Sequence, residues 1–481
     1  MTEAVKKLKT GIEGLDNMLK GGIPQNRMVV VSGAAGTGKS VMLNNFLYTG
    51  IRDFSQNGVL VTFEESPRDI KKNVKGFGWD YDKLEEENKL FIVDMTPAIS
   101  GKVMVIKEDF DMDPIIERVL YAVNKVGAKR VALDGIDSLF SRFKNKKIIR
   151  NTIYRLSTAL KEKGITGFIA MESLTSSPGS TRYGVEEFVT DGAVGLKMIE
   201  GELEFVRKLF IRKLRGCSFR SGIVEYEINS QGMRVFSRLN KKDLDVKTDF
   251  KNRLKTGMEG VDSALTGGIP RGHSVLLSGN SGTGKTLFGI KFLIEGIEQG
   301  DKSVMVALEE SKTQIKKTSL EHGWDLDKME KNGQISFITA NLLDTQINKL
   351  LNDIKDEIKK TGATRLVIDS ISSLESASMQ GNKVRQFMIQ LNNFLKNQGT
   401  TTILNYLSSA NFGAAGNHLL SALKTNTLRL SSITDGILIM LYVEGKKEVG
   451  RVFNVLKMRG IQHDKSIIKY EIIKGGVKLK K

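Results

Sequence analysis

The chain repeats itself, and that repeat limits its architecture more than any other feature. TGIEGLDNMLKGGIP (10–24) returns as TGMEGVDSALTGGIP (256–270), and VVVSGAAGTGKS (29–40) returns as VLLSGNSGTGKT (275–286). TFEES (62–66) is matched by ALEES (307–311), RVALDGIDSL (130–139) by RLVIDSISSL (365–374), and TDGAVGL (190–196) by TDGILIM (434–440). FIRKLRG (210–216) lines up with NVLKMRG (454–460). The offset is about 245, drops to 235 at the LD/ID segment and returns to 244. The first copy therefore carries an insertion of about ten residues near 95–112, and the second one of about nine between 409 and 433. A chain of 481 residues built this way is one domain used twice. The expected boundaries are 1–240 and 256–481, with the charged stretch 241–255 as a linker.

Within each copy, short apolar runs alternate with helical stretches. MVVVSG, GVLVTFEE, KLFIVDM, RVALDG and TGFIAME are β-branched and almost continuously apolar, as strands covered on both faces should be. An α/β domain follows, with a mostly parallel sheet and helices on both faces. LEFVRKLFIRKL and IVEYEIN alternate more, which predicts antiparallel strands at the far end of that sheet.

GAAGTGKS and GNSGTGKT each sit between a strand and a helix and fit the phosphate-cradling loop. Gly33, Gly36, Thr37 and Gly38, with Gly279, Gly282, Thr283 and Gly284, would turn backbone N–H groups toward phosphate oxygens at a helix N-terminus. Lys39 and Lys285 would reach the β- and γ-phosphates, and Ser40 and Thr286 would hold Mg²⁺. ATP at two sites is the expected ligand. Asp134 and Asp369 end apolar strands, where a carboxylate can orient the metal's hydration shell. Glu64-Glu65 and Glu309-Glu310 end the strand after the loop's helix, on the sheet edge that faces the ligand crevice. Crowding within each pair should raise one carboxyl pKa and favour a general base. Arg385 and the pairs Lys213/Arg215 and Lys457/Arg459 are candidate γ-phosphate sensors, because residues two apart on a strand share a face. Ser431 and Ser432, just before TDG, are hydroxyls that could accept a phosphoryl group. Trp79 and Trp324 read as packing residues, and the four His show no metal-ligand spacing.

Composition narrows the alternatives. A single cysteine excludes a disulfide framework and suits a reducing cytosol, so a cytoplasmic location is expected. No apolar run is long enough for a membrane span, and the N-terminus has no signal-peptide pattern. The 73 Lys+Arg against 55 Asp+Glu leave a net charge of +18, which suits either a nucleic-acid partner or a lysine-rich solvated surface.

In the order and duplication of these strings the chain resembles the KaiC family of tandem RecA-like ATPases over nearly its whole length. YGVEEFV (183–189), VRQF (384–387), LSSITD (430–435) and the HDK after NVLKMRG add to the likeness. The resemblance implies a homohexamer of two stacked rings, with ATP held between neighbouring subunits, Mg²⁺ as its companion, and a KaiB-like partner. It makes Glu64 and Glu65 the activators of water in the first ring. In the second, Glu309 becomes the base for serine autophosphorylation and a contributor to the metal site, with Glu310 beside it and autophosphatase activity a companion. Arg385, Arg451, Lys457, Met458 and Arg459, and in the first ring Lys213, Leu214 and Arg215, would contact ATP from the adjacent subunit. Ser431 and Ser432 become the phosphoacceptors. The chain departs from the family at Asn426, Cys217, Phe219, Ile461 and His322. It closes on GGVKLKK, without the long tail that recruits a KaiA-type activator, so that activation is not expected. A RecA/RadA- or DnaB-like DNA-dependent ATPase is the alternative.

Overall fold

The computed structural model describes residues 5–96, 113–140, 146–173, 190–200, 205–237, 249–340, 346–377, 381–408, 430, 432–444 and 449–480. Most of both expected insertions, the segment 238–248, the YGVEEFV string, Asn426 and Ser431 lie outside the described residues. The chain divides into two compact units, Met1–Ser237 and Arg238–Lys481.

The first unit is organised by nine strands: β1 (Met28–Gly33), β2 (Gly58–Thr62), β3 (Leu90–Asp94), β4 (Arg130–Asp134), β5 (Thr166–Glu172), β6 (Gly192–Glu200), β7 (Phe205–Leu214), β8 (Ile223–Asn229) and β9 (Gly232–Val235). Their order across the sheet is β3-β2-β4-β5-β1-β6-β7-β8-β9. The six strands from β3 to β6 run parallel, and β7, β8 and β9 join antiparallel. The second unit repeats this order with β10 (Ser274–Gly279), β11 (Ser303–Ala307), β12 (Ile335–Thr339), β13 (Arg365–Asp369), β14 (Thr401–Leu407), β15 (Gly436–Glu444), β16 (Val449–Met458), β17 (Ile468–Ile473) and β18 (Gly476–Leu479). Its sheet reads β12-β11-β13-β14-β10-β15-β16-β17-β18. The parallel core with an antiparallel flank matches the expectation from the apolar runs.

Those runs are apolar throughout because both faces of each sheet are covered. Val29 and Val31 pack with Met42, Leu43 and Phe46 of helix α1 (Lys39–Phe54), while Met28 and Val30 pack on the other face with Val131, Leu133 and Ile153. Each such fully buried side chain contributes about 1.5–3 kcal/mol. The second unit's corresponding helix is α2 (Lys285–Glu298).

The opening T-G-x-E-G-x-D motif is a self-closing loop. Asp16 accepts from the Thr10 amide and hydroxyl, both at 2.8 Å, and Asp262 accepts from the same groups of Thr256 at 2.7 Å. A short strand closes each loop: Leu8 pairs with Ile23, and Leu254 with Ile269. The strand Asp249–Leu254 therefore occupies part of the stretch assigned to the linker.

An arginine at the start of β4 ties this loop to the rest. Arg130 is fully buried and donates to the carbonyls of Lys9 (2.7 Å), Thr10 (3.1 Å) and Phe46 (2.8 Å), and to Gln56 Oε1 (2.8 Å). Burial pulls its pKa down to about 10. Arg365 repeats the arrangement with the carbonyls of Lys255 (2.7 Å) and Phe292 (2.9 Å) and with Asp301 (3.2 Å). Each guanidinium lies against a helix glycine: a Cβ on Gly50 or Gly296 would come within 2.4 or 2.3 Å of the arginine Cδ.

Candidate functional site

The carboxyl ends of the parallel strands form one edge of each sheet, and the residues singled out above gather there. In the first unit β1 ends at Gly33 and α1 begins at Lys39, joined by Gly36 (φ +77°) and Gly38 (φ +85°) in the left-handed region. No side chain caps α1, so its first-turn N–H groups stay directed at the cleft. Lys39 Nζ donates to the Gly33 (2.8 Å) and Ala34 (3.2 Å) carbonyls, and Thr37 Oγ1 to Ala34 (2.7 Å). The second unit repeats each contact: Lys285 to Gly279 (2.9 Å) and Asn280 (2.7 Å), and Thr283 to Asn280 (2.8 Å). Gly282 (φ +76°) and Gly284 (φ +91°) make the same turns.

In the first unit a cleft of about 400 Å³ opens over this loop, lined by Gly38, Lys39, Ser40, Glu64, Asp134 and Asp137 among others. Burial raises the pKa of Asp134 above the ordinary carboxylate value, opposed by the hydrogen bond of Ser40. In the second unit Thr286 Oγ1 donates to Asp369 Oδ2 at 2.6 Å, and burial likewise raises Asp369. Hydroxyl, strand-end carboxylate and lysine meet in both units.

The paired glutamates divide. Glu64 lines the cleft and accepts from Ser138 Oγ, whereas Glu65 turns to the Asn73 amide. The pKa of Glu65 is raised, through burial first and then Asp69. Burial, not the adjacent glutamate, leads that rise in the first unit. In the second, burial comes first for the raised Glu310, then Asp369, and only then Glu309. Glu309 accepts from the hydroxyls of Ser370 and Ser373.

The strand-end basic residues do not join their own unit's phosphate loop in this way. Lys213 Nζ donates to the Thr190 carbonyl (2.8 Å), and Lys457 Nζ to that of Thr434 (3.0 Å). Arg459 donates to the Ser432 carbonyl (3.1 Å) and lies 3.7 Å from Asp435, while the Arg215 amide donates to the Asp191 carbonyl (2.7 Å). Leu214 and Met458 are buried in the apolar cores of their own units. Arg385 is exposed on the helix Gly381–Gln398, and Arg451 lies over the Tyr442 ring at 5.4 Å. Ser432 is exposed, and Ser431 lies outside the described residues. Trp79 and Trp324 are buried against Phe77 and His322, as packing residues should be.

The structure adds residues that no motif marked. Tyr226 of β8 donates its hydroxyl to the Thr37 carbonyl, and Tyr470 of β17 to that of Thr283 at 2.6 Å. The antiparallel flank thus holds the phosphate loop from outside. Their equal spacing from TDG in I-V-E-Y-E-I and I-I-K-Y-E-I was the available signal.

A sequence model described as "ATPase: KaiC" matches residues 8–240 and again 254–481. The chain belongs to the KaiC ATPase family. It is 36% identical to the circadian clock oscillator protein KaiC of Picosynechococcus sp., over 99% of this chain and 90% of that protein. Identity is 36% to the KaiC of Thermostichus vulcanus and 35% to that of Synechococcus elongatus, over 99% of this chain and 89% and 90% of theirs. Both units thus carry the KaiC fold, two RecA-like P-loop domains in tandem. Among the described residues no helix is long and apolar enough to cross a membrane.

Proposed function

We propose that the protein is a homohexameric ATPase that hydrolyses ATP in its first unit and phosphorylates its own serines in the second, acting in signalling or timing. The observation that carries this reading is the pairing of phosphate loop, strand-end aspartate and glutamate in each unit, with the glutamates set differently. The residues present fit a magnesium nucleotide: left-handed glycines and an uncapped helix N-terminus for the phosphates, and a hydroxyl beside a buried carboxylate for the cation. Ser40 with Asp134, and Thr286 with Asp369 and Glu309, would hold Mg²⁺, which when bound neutralises charge on the phosphate oxygens. Lys39 and Lys285 bind the β- and γ-phosphates.

Glu64 orients water in the first unit and accepts its proton as the γ-phosphorus is attacked, with Glu65 holding the adjoining turn. In the second unit Glu309, supported by Glu310, accepts the proton of Ser431 or Ser432 of a neighbouring subunit. The serine oxygen forms the new P–O bond, the β–γ bridge breaks, and ADP leaves. Arg385, Arg451, Lys457, Met458 and Arg459, and Lys213, Leu214 and Arg215, serve the site of a neighbouring subunit. The bonds of Lys213, Lys457 and Arg459 to the loops at 190 and 432–435 support this, since they place those cations at a strand end away from their own phosphate loop. A KaiB-like protein is the proposed partner of the assembled ring.

Incubation with γ-labelled ATP and Mg²⁺, followed by phosphopeptide mapping, tests the reading. Label on Ser431 or Ser432 supports it; label elsewhere, or hydrolysis without label, removes the kinase half. A DNA motor would instead hydrolyse severalfold faster with single-stranded DNA and lose that stimulation in moderate salt.

A further inference from the structure

The units differ in polarity at a sheet position next to the strand-end aspartate. Asn405 of β14 pairs in register with Leu277 of β10, where the first unit has Ala170 opposite Val31. Ala170 lines the first unit's cleft, so this position belongs to the wall of the site. Asn405 is fully buried at 0% exposure. The pairing of β13 with β14, which runs through Ile368 and Leu404, brings Asn405 next to Asp369, and neither Nδ2 nor Oδ1 of Asn405 has a partner of hydrogen-bonding geometry among the described residues. A buried amide left incomplete is costly, and such groups in native proteins mark a role.

Neighbouring core positions change with it. Leu43, Ala132 and Ala170 of the first unit correspond to Gly289, Val367 and Asn405 of the second. A Cβ on Gly289 would meet Val367 Cγ1 at 2.8 Å and Asn405 Nδ2 at 3.7 Å. The helix gives up a leucine for a glycine, unfavourable in a helix interior, three residues after Thr286, and Val367 is the side chain that takes up the space. The second unit keeps a polar side chain at this point of the sheet. The first is closed by aliphatic packing.

We propose that Asn405 is a positioning residue of the second site, its amide holding the Asp369 carboxylate in the orientation that receives the cation accompanying the nucleotide. Thr286 donates to one carboxylate oxygen of Asp369 at 2.6 Å and Asn405 stands beside the same aspartate on the next strand, whereas Asp134 has an alanine there. Partners behind a metal site's carboxylates commonly set its affinity. The inference rests on the reading that the second phosphate loop holds a magnesium nucleotide.

The test uses the full chain carrying Lys39→Ala, so that the second loop reports, and follows Mn²⁺ binding in the presence of ADP by electron paramagnetic resonance. Asn405→Ala should weaken Mn²⁺ by about 10-fold or more while metal-free ADP affinity stays within about twofold. The triple variant Gly289→Leu, Val367→Ala, Asn405→Ala refills the core as in the first unit and should show the same selective loss with an unchanged melting temperature. Mn²⁺ affinity equal to the parent's in either folded variant overturns the proposal, as does an equal loss of metal-free ADP, which marks a merely structural role. A Lys39→Ala parent that binds neither Mn²⁺ nor ADP overturns the nucleotide reading itself, and this inference with it.

Discussion

The two units place the same glutamate on the same strand end and surround it differently. Around Glu64 stand Gly135, Asp137 and Ser138; around Glu309 stand Ser370, Ser372 and Ser373. Gly135 has φ +74°, and a Cβ there would lie 2.7 Å from Glu64 Cγ, so the first unit needs glycine where the second has a serine that donates to its glutamate. Asp137 accepts from the Glu172 amide at 2.7 Å, and Ser372 accepts from the equivalent Leu407 amide at 3.0 Å. The scaffold contact survives while a charge next to the site is removed. The turn after the aspartate strand thus differs between the copies, while the phosphate loops stay almost unchanged. The phosphate-loop geometry is common to both units, and the turn that faces the glutamate is where they part.

The sharpest way to break this comparison is to neutralise each glutamate separately. Glu64→Gln should lower steady-state phosphate release by roughly 10²–10⁴-fold and leave serine labelling intact. Glu309→Gln should abolish the label and retain most of the release. Parallel assays of phosphate and phosphopeptide decide it, and a matching loss of both activities in either variant would erase the division of labour.

The buried arginines come next. Arg130→Ala and Arg365→Ala should each destabilise their unit by about 3–5 kcal/mol, because carbonyls in the interior lose a charged donor. Lysine should not restore stability, since one ammonium cannot span the loop, the helix and the flanking side chain. Denaturant titration of the full chain should resolve two transitions, only one of them displaced per variant.

A smaller effect is expected at the tyrosines that brace the phosphate loops. Tyr226→Phe and Tyr470→Phe each remove one hydrogen bond, about 1 kcal/mol, and should lower nucleotide affinity severalfold at one site of the two. Equilibrium dialysis with a labelled nucleotide would show it.

The smallest concerns acid sensitivity. His273 stands where the first unit has Arg27, which pairs with Asp191 at 2.8 Å. Burial lowers the pKa of His273. Above the unfolded value near 6.5 both states are neutral and the residue adds no pH dependence. As pH falls below it the unfolded state takes the proton first, and the second unit loses stability. Unfolding at pH 7.5 and 5.5 should show an acid loss of up to about 1 kcal/mol in that unit's transition, abolished by His273→Gln.

The phosphate loops, strand-end aspartates and glutamates were legible in the sequence because each needs a particular residue type at a particular spacing, and the repeat displays that spacing twice. The parallel core with an antiparallel flank followed from unbroken apolar runs passing into alternating ones, whereas the strand order had to come from the structure. Arg130, Tyr226 and Asn405 were harder. An arginine at a strand start or a tyrosine in a hairpin has no chemistry of its own until the fold brings a carbonyl to it from 120 or 189 positions away. The split between Glu64 and Glu65 was likewise hidden, because it depends on a turn that swings one carboxylate toward Asn73.

The arginine staple also governs how the molecule can be cut. Part of its guanidinium's hydrogen bonding goes to carbonyls at positions 9 and 10 in one half and 255 in the other, all upstream of the first sheet strand. An isolated half begun at that strand would strip the buried guanidinium of those acceptors and leave it only partly satisfied, so a soluble fragment of the second half has to start before Lys255, inside what looks like dispensable connecting chain.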